Sequence, residues 1–169
     1  MKKLLLSAIV ILGFSAATFA QSSTTATANA LLIVPISIAH NADLNFGTIG
    51  ASATAGTVTI APNGTQSSST GLKIITGAKS AAAFTVTGEI AAGFSITIPT
   101  ALPYTLTGDG TSPTTMDITA FTISPASGAT IGSGGTTSVT VGATLAVNAN
   151  QKSGTYTNAT PFTVTVNYN

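Results

Sequence analysis

The sequence has one histidine, His40, three residues before Asp43, and no other base stands so near an acid. Nucleophilic hydrolysis needs a base, an orienting acid and an activated hydroxyl within hydrogen-bond reach of one another. Serines are plentiful, yet none lies in a Gly-x-Ser-x-Gly turn between a strand and a helix. His40 is therefore read as a solvated residue that follows the first long strand. Asp109 and Asp117 form a second pair, of the type that runs glycoside hydrolysis. Asp109 sits between Gly108 and Gly110, the setting of a turn residue, and no aromatic platform surrounds the pair. Calcium would need several carboxylates to converge, and Asp43, Glu89, Asp109 and Asp117 are scattered. The chain has no cysteine, which removes thiolate ligands, a cysteine nucleophile, a lipoprotein anchor and disulfides together. No catalytic, cofactor-binding or metal-binding residue is assigned, and the expected protein is not an enzyme. Tyr104, Tyr156 and Tyr168 leave a glycan partner open, which the lack of tryptophan makes less favourable.

The elements that position these groups follow a period of two, with no window of helical spacing. From Ala26 to Ile38 every even position is apolar: Ala26, Ala28, Ala30, Leu32, Val34, Ile36 and Ile38. That run is longer than a usual strand, and Pro35 cannot donate to a ladder, so a kink or an edge is expected there. Further strands are expected at Leu44 and Phe46, at Val58 and Ile60, and at Leu72 and Ile74. Others fall at Phe84 and Val86, at Phe94 to Ile98, at Tyr104 and Leu106, at Val139 to Val147, and at Phe162 to Tyr168. Asn63-Gly64 predicts a hairpin turn with positive φ. Between Met116 and Ile123 the apolar parity changes from even to odd, which predicts a bulge near Thr119 or Ala120. Nine or ten such strands without helices predict an all-β fold, an immunoglobulin-like antiparallel β-sandwich of Greek-key type.

Residues 1–20 read as an export leader: Lys2 and Lys3, an apolar run from Leu4 to Phe14, then small residues up to Ala20. The apolar run is too short to span a bilayer, so no membrane span is expected after cleavage. Residues 21–169 are long enough for one domain with its own core. The chain is expected to be exported, to the periplasm, the cell surface or the medium. Hydrophobic residues make up 44% of the sequence and charged residues 5%, so it should fold while Thr, Ser and Asn wet its surface. There is no arginine, and beyond residue 20 the only lysines are Lys73, Lys79 and Lys152, which excludes a nucleic-acid partner.

Strands without Lys or inward-facing charge leave their edges unguarded. Residues 21–34, with Ala26, Ala28, Ala30, Leu32 and Val34 on one side, therefore have two readings. They are either the first strand of their own domain or a donor segment that augments the edge of another subunit.

The segments Ala42-Asp43-Leu44-Asn45-Phe46-Gly47-Thr48-Ile49, Ala82 to Glu89, and Gly154-Thr155-Tyr156 through Phe162 to Tyr168 resemble DUF4402, a family of exported bacterial domains of unknown function. The resemblance covers nearly all of the chain beyond the leader. The C-terminal pattern, a Gly followed by an alternating strand with a penultimate Tyr, is more distantly similar to chaperone-usher pilus subunits and spore-coat-U-like proteins. That likeness implies that Gly154, Phe162, Val164, Val166 and Tyr168 belong to an assembly strand, although the cysteine pair of many pilins is missing. It implies a non-enzymatic structural or surface protein, fimbria-like, whose partners are copies of itself or other surface subunits. The alternative is a monomeric adhesin-like or carbohydrate-binding module.

Overall fold

The computed structural model describes residues 21–50, 52–69, 71–110, 115–126 and 128–169; the expected leader lies outside them. The chain divides into two units after Leu32. In the first unit, residues 21–32 contain no strand and their side chains are exposed.

The second unit, Ile33–Asn169, is all-β among the described residues. Its strands are β1 (Ser37–Ala42), β2 (Thr48–Gly50), β3 (Gly56–Ile60), β4 (Gln66–Ser68), β5 (Lys73–Ile75), β6 (Ala82–Thr87) and β7 (Gly93–Thr97). They continue with β8 (Tyr104–Gly108), β9 (Thr115–Ser124), β10 (Ala129–Thr130), β11 (Thr136–Val147), β12 (Tyr156–Thr157) and β13 (Thr165–Tyr168). One large antiparallel sheet runs β1-β6-β11-β9-β8-β12, with β3 and β4 added along the far half of β11. A small sheet, β10-β7-β13, and a β2-β5 pair complete the set.

β11 organises the large sheet because it is long and rich in Thr and Val, which suit a pleated, half-buried surface. Val139, Val141, Ala143, Leu145 and Val147 all turn to the buried side. On one edge β11 pairs with β6 up to Val141 and with β3 from Ala143 onward. Gly142 stands at that change of partner, where a Cβ would lie 2.2 Å from the Ile60 carbonyl oxygen. Only glycine lets the backbones approach so closely. On the other edge, Thr144 faces Ala120 and Leu145 faces Ile118, leaving Thr119 as the extra residue. This is the bulge that the parity change predicts, and it turns Met116, Ile118, Phe121 and Ile123 to one core.

The Asn63-Gly64 turn closes the β3-β4 hairpin. Gly64 takes φ +79°, Ala61 and Thr65 are bonded through their backbones, and the Asn63 side chain accepts from Thr65 N–H.

Three expected strands differ; the last, expected from Phe162, begins only at Thr165, leaving Phe162 and Val164 outside it. The long first strand from Ala26 shrinks to β1, which starts only at Ser37. Pro35 has no N–H to give a ladder and disfavours the helical region for Val34, so regular pairing begins after it. Leu44 and Phe46 flank a single bridge, Asn45 to Ser80, instead of starting a strand. There the Asn45 side chain accepts from Gly47 N–H at 2.8 Å and Gly47 takes φ +72°, a turn that postpones β2 to Thr48.

The core is uneven along the large sheet. Val86, Val139, Phe94, Ile131 and Val166 form a closed cluster where β7, β10 and β13 cover β6 and the first half of β11. Val141, Ala82 and Val164 continue it. The other half is built on Val58, Ile60, Met116, Ile118, Leu145 and Val147, with Phe46 and Leu72 as cover from the β2-β5 side.

Candidate functional site

A groove of about 1060 Å³ opens over this second half. Its floor is the inward face of β8, β9 and β11: Leu106, Met116, Ile118, Leu145 and Val147. Register sets that floor. Leu106 lies opposite Met116 across β8-β9, and Ile118 lies opposite Leu145 across β9-β11, so apolar side chains stand in rows on one face. One wall is the stretch from Asp43 to Gly50, with Leu44 and Phe46; the other is residues 151–158, with Tyr156; Phe162 stands at the end. Met116 and Val147 are nearly covered while Leu106 and Tyr156 are half-buried, as expected for side chains bordering a groove.

Gln151 holds the second wall. It is the buried polar side chain among the described residues, and its Nε2 donates to the Thr115 carbonyl at 3.2 Å and to the Tyr156 hydroxyl at 2.8 Å. The Tyr156 hydroxyl donates in turn to the Lys152 carbonyl at 2.7 Å. Farther along, Phe121 lies edge-on to Tyr104 and 5.1 Å from Phe162, and the Tyr104 hydroxyl donates to the Thr160 carbonyl. Nothing in the sequence singles out Gln151, which reads as one more polar residue of a loop.

The residues first considered for chemistry are apart and structurally engaged. His40 Nε2 meets Asp43 Oδ1 at 3.0 Å, but the side chains are 54% and 91% exposed, so water screens the pair. The His40 ring rests edge-on against Phe84 at 5.6 Å. Asp109 accepts from Thr155 N–H at 3.0 Å, and its own N–H donates to the Thr155 carbonyl at 3.1 Å. Asp117 accepts from the Thr105 hydroxyl at 2.8 Å. These two carboxylates serve strand pairing and a turn.

Of the expected assembly-strand residues, Val164 and Val166 are buried in the closed half and Phe162 lies at the groove end. β13 pairs with β7 and forms one edge of the small sheet. Gly154 is separate from them. It packs by Asp109, where a Cβ would come 2.7 Å from Oδ1.

Tyr168 does something the sequence does not reveal. Its hydroxyl donates to the Val34 carbonyl at 2.6 Å and accepts from Glu89 N–H at 2.6 Å. The Glu89 carboxylate accepts from Val34 N–H at 3.0 Å. Both backbone groups of Val34 are thus held by its own domain. Gly88 makes room for this clamp, since a Cβ there would lie 2.3 Å from the Tyr168 hydroxyl oxygen. Val34 therefore differs from Ala26, Ala28, Ala30 and Leu32, the other four expected donor positions, which lie in the first unit outside any strand.

The second unit is thus a β protein built on an open, curled antiparallel sheet with an apolar groove. Among the described residues no three His, Asp or Glu side chains gather where they could hold a metal ion. Residues 36–168 match the family described as a domain of unknown function, DUF4402, and the chain belongs to that family. No curated protein and no solved structure matches the chain. No helix among the described residues is long and apolar enough to cross a membrane.

Proposed function

We propose that the protein is an exported structural subunit of a bacterial surface, fimbria-like, which associates with copies of itself by adding a strand to a sheet. The observation that carries this reading is the exposure of four consecutive large apolar residues. Leu31 and Leu32 are 91% and 96% exposed, Ile33 and Val34 are each 49% exposed, and none lies in a strand. Solvating such a run costs roughly 25 cal/mol for each Å² of apolar surface, so a chain that keeps it gains by covering it. The run follows the alternating Ala26, Ala28 and Ala30, which is the pattern of a segment that lays one side into successive pockets while its backbone pairs with an edge. In this reading residues 1–20 are removed after Ala20, the rest of the chain carries a single domain, an immunoglobulin-like sandwich of Greek-key type, and residues 21–33 form the incoming strand for another copy.

Deleting residues 21–32 tests the reading, because Val34 and its clamp remain. The shortened protein is expected to keep its β-sheet circular dichroism and to lose the large species seen in sedimentation and electron microscopy. Assembly that survives the deletion removes the incoming-strand function, and a full-length chain that stays monomeric removes self-association altogether.

A further inference from the structure

Resting on that reading for the origin of the load, we infer that the three hydrogen bonds joining Val34, Glu89 and Tyr168 are a mechanical clamp. It carries tension on residues 21–33 past the edge strand β1 and into both sheets of the domain.

A subunit held in a filament through a segment at its N-terminus is pulled by that segment. The pull arrives first at β1, a six-residue strand at the edge of the large sheet, paired only with β6. Force on the end of such a strand can open its ladder one pair at a time from Ser37, so that each pair bears the load alone. Pro35 weakens the entry further, because it has no N–H and the ladder cannot run on through it. Continued by two residues, the register that sets Ser37 opposite Thr87 would bring Pro35 opposite Glu89, and there side chains take over. The Glu89 carboxylate holds the Val34 N–H, and the Tyr168 hydroxyl ties the Val34 carbonyl to the Glu89 N–H.

Both supports of the clamp are tied down behind it. Tyr168 lies on β13 opposite Phe94 of β7, which is fully buried. Asn169 N–H donates to the Gly93 carbonyl at 3.1 Å and pins the chain just after Tyr168. The turn that carries Glu89 is bonded to the loop between β10 and β11. Gly88 N–H donates to the Gly135 carbonyl at 3.0 Å, Ala91 N–H to the Ile131 carbonyl at 3.0 Å, and Ile131 N–H to the Ala92 carbonyl at 2.9 Å. Ile131 belongs to the buried cluster of Phe94 and Val139. To move Val34, a pull must therefore break bonds anchored on the small sheet and beside β11 together. Bonds that have to open at once resist more than a ladder that opens in turn, and forced opening follows the rate of that step.

The chain has no cysteine, so handles can be attached at chosen points. The full chain carrying Ser23→Cys and Ser67→Cys, the latter on β4, is stretched between two beads in an optical trap. With the clamp intact, the domain is expected to open in one step. With Tyr168→Phe added, a short early release is expected as β1 leaves β6, and the lifetime of the unopened state at fixed force should fall roughly tenfold. Glu89→Ala should do the same, and it serves where Tyr168→Phe folds poorly. Leu106→Ala weakens the domain away from the clamp and should shorten the main step without an early release. An early release in the chain with its clamp intact, or none in either clamp variant, overturns the inference, since Tyr168 would then act as any stabilising contact does. Single copies are stretched, so this outcome does not depend on assembly. Sedimentation of the unaltered chain tests the reading beneath it, and the absence of large species removes the source of the load.

Discussion

The two halves of β11 are made by the same rule and end in different surroundings. From Thr136 to Val141 the strand pairs with β6 and is roofed by β7 and β13, and Val139 and Val141 have no exposure left. From Ala143 to Val147 it pairs with β3 and β9, its inward residues are equally apolar, and a groove opens beside Leu145 and Val147. Sequence pattern alone does not distinguish the halves. What differs is the second layer, which has a partner sheet at one end and only the short β2-β5 pair and loops at the other. Phe46 and Leu72 cover this end through side chains from loops, and the groove borders the half-buried Leu106 and Tyr156.

The contrast should appear first in stability. Phe94→Ala empties a fully buried site in the closed half and is expected to cost about 3–5 kcal/mol. Leu106→Ala, at a partly buried groove position, should cost about 1–2 kcal/mol, since part of its side chain already meets water. Denaturant unfolding of the two variants measures the difference, and equal losses would mean that the groove floor is packed as tightly as the closed core.

A smaller effect concerns the clamp at Val34. Tyr168→Phe removes a hydroxyl that bonds both Glu89 N–H and the Val34 carbonyl, at an expected cost of about 1–2 kcal/mol. Gly88→Ala crowds the same oxygen, so its penalty should shrink when Phe stands at position 168. A double-mutant cycle reads this coupling, and strict additivity would show that the crowding lies elsewhere.

Much of the fold was legible because period two and parity are local properties. The bulge at Thr119, the turn at Gly64, and the inward set on β6, β7, β9 and β11 all follow from spacing along one segment. The extent of the first strand was not, because alternation from Ala26 to Val34 says which side chains can be buried together without saying what buries them. The groove was not legible either. It arises from what the second layer fails to cover, a property of pairs of elements far apart in the chain, such as Asp43–Gly50 and residues 151–158. Tyr168 looked like one more member of an alternating strand. Its hydroxyl partners, Val34 and Glu89, are distant in sequence, and no spacing rule connects them.

Backbone hydrogen exchange, compared between the assembled protein and its dispersed subunits, tests most directly whether residues 21–33 become a strand of a second copy. Protection is expected to rise on assembly in residues 21–33, while β7 and the first half of β11 stay as they were. Residues 21–33 exchanging as freely in the assembled protein as in the dispersed subunits would contradict the pairing.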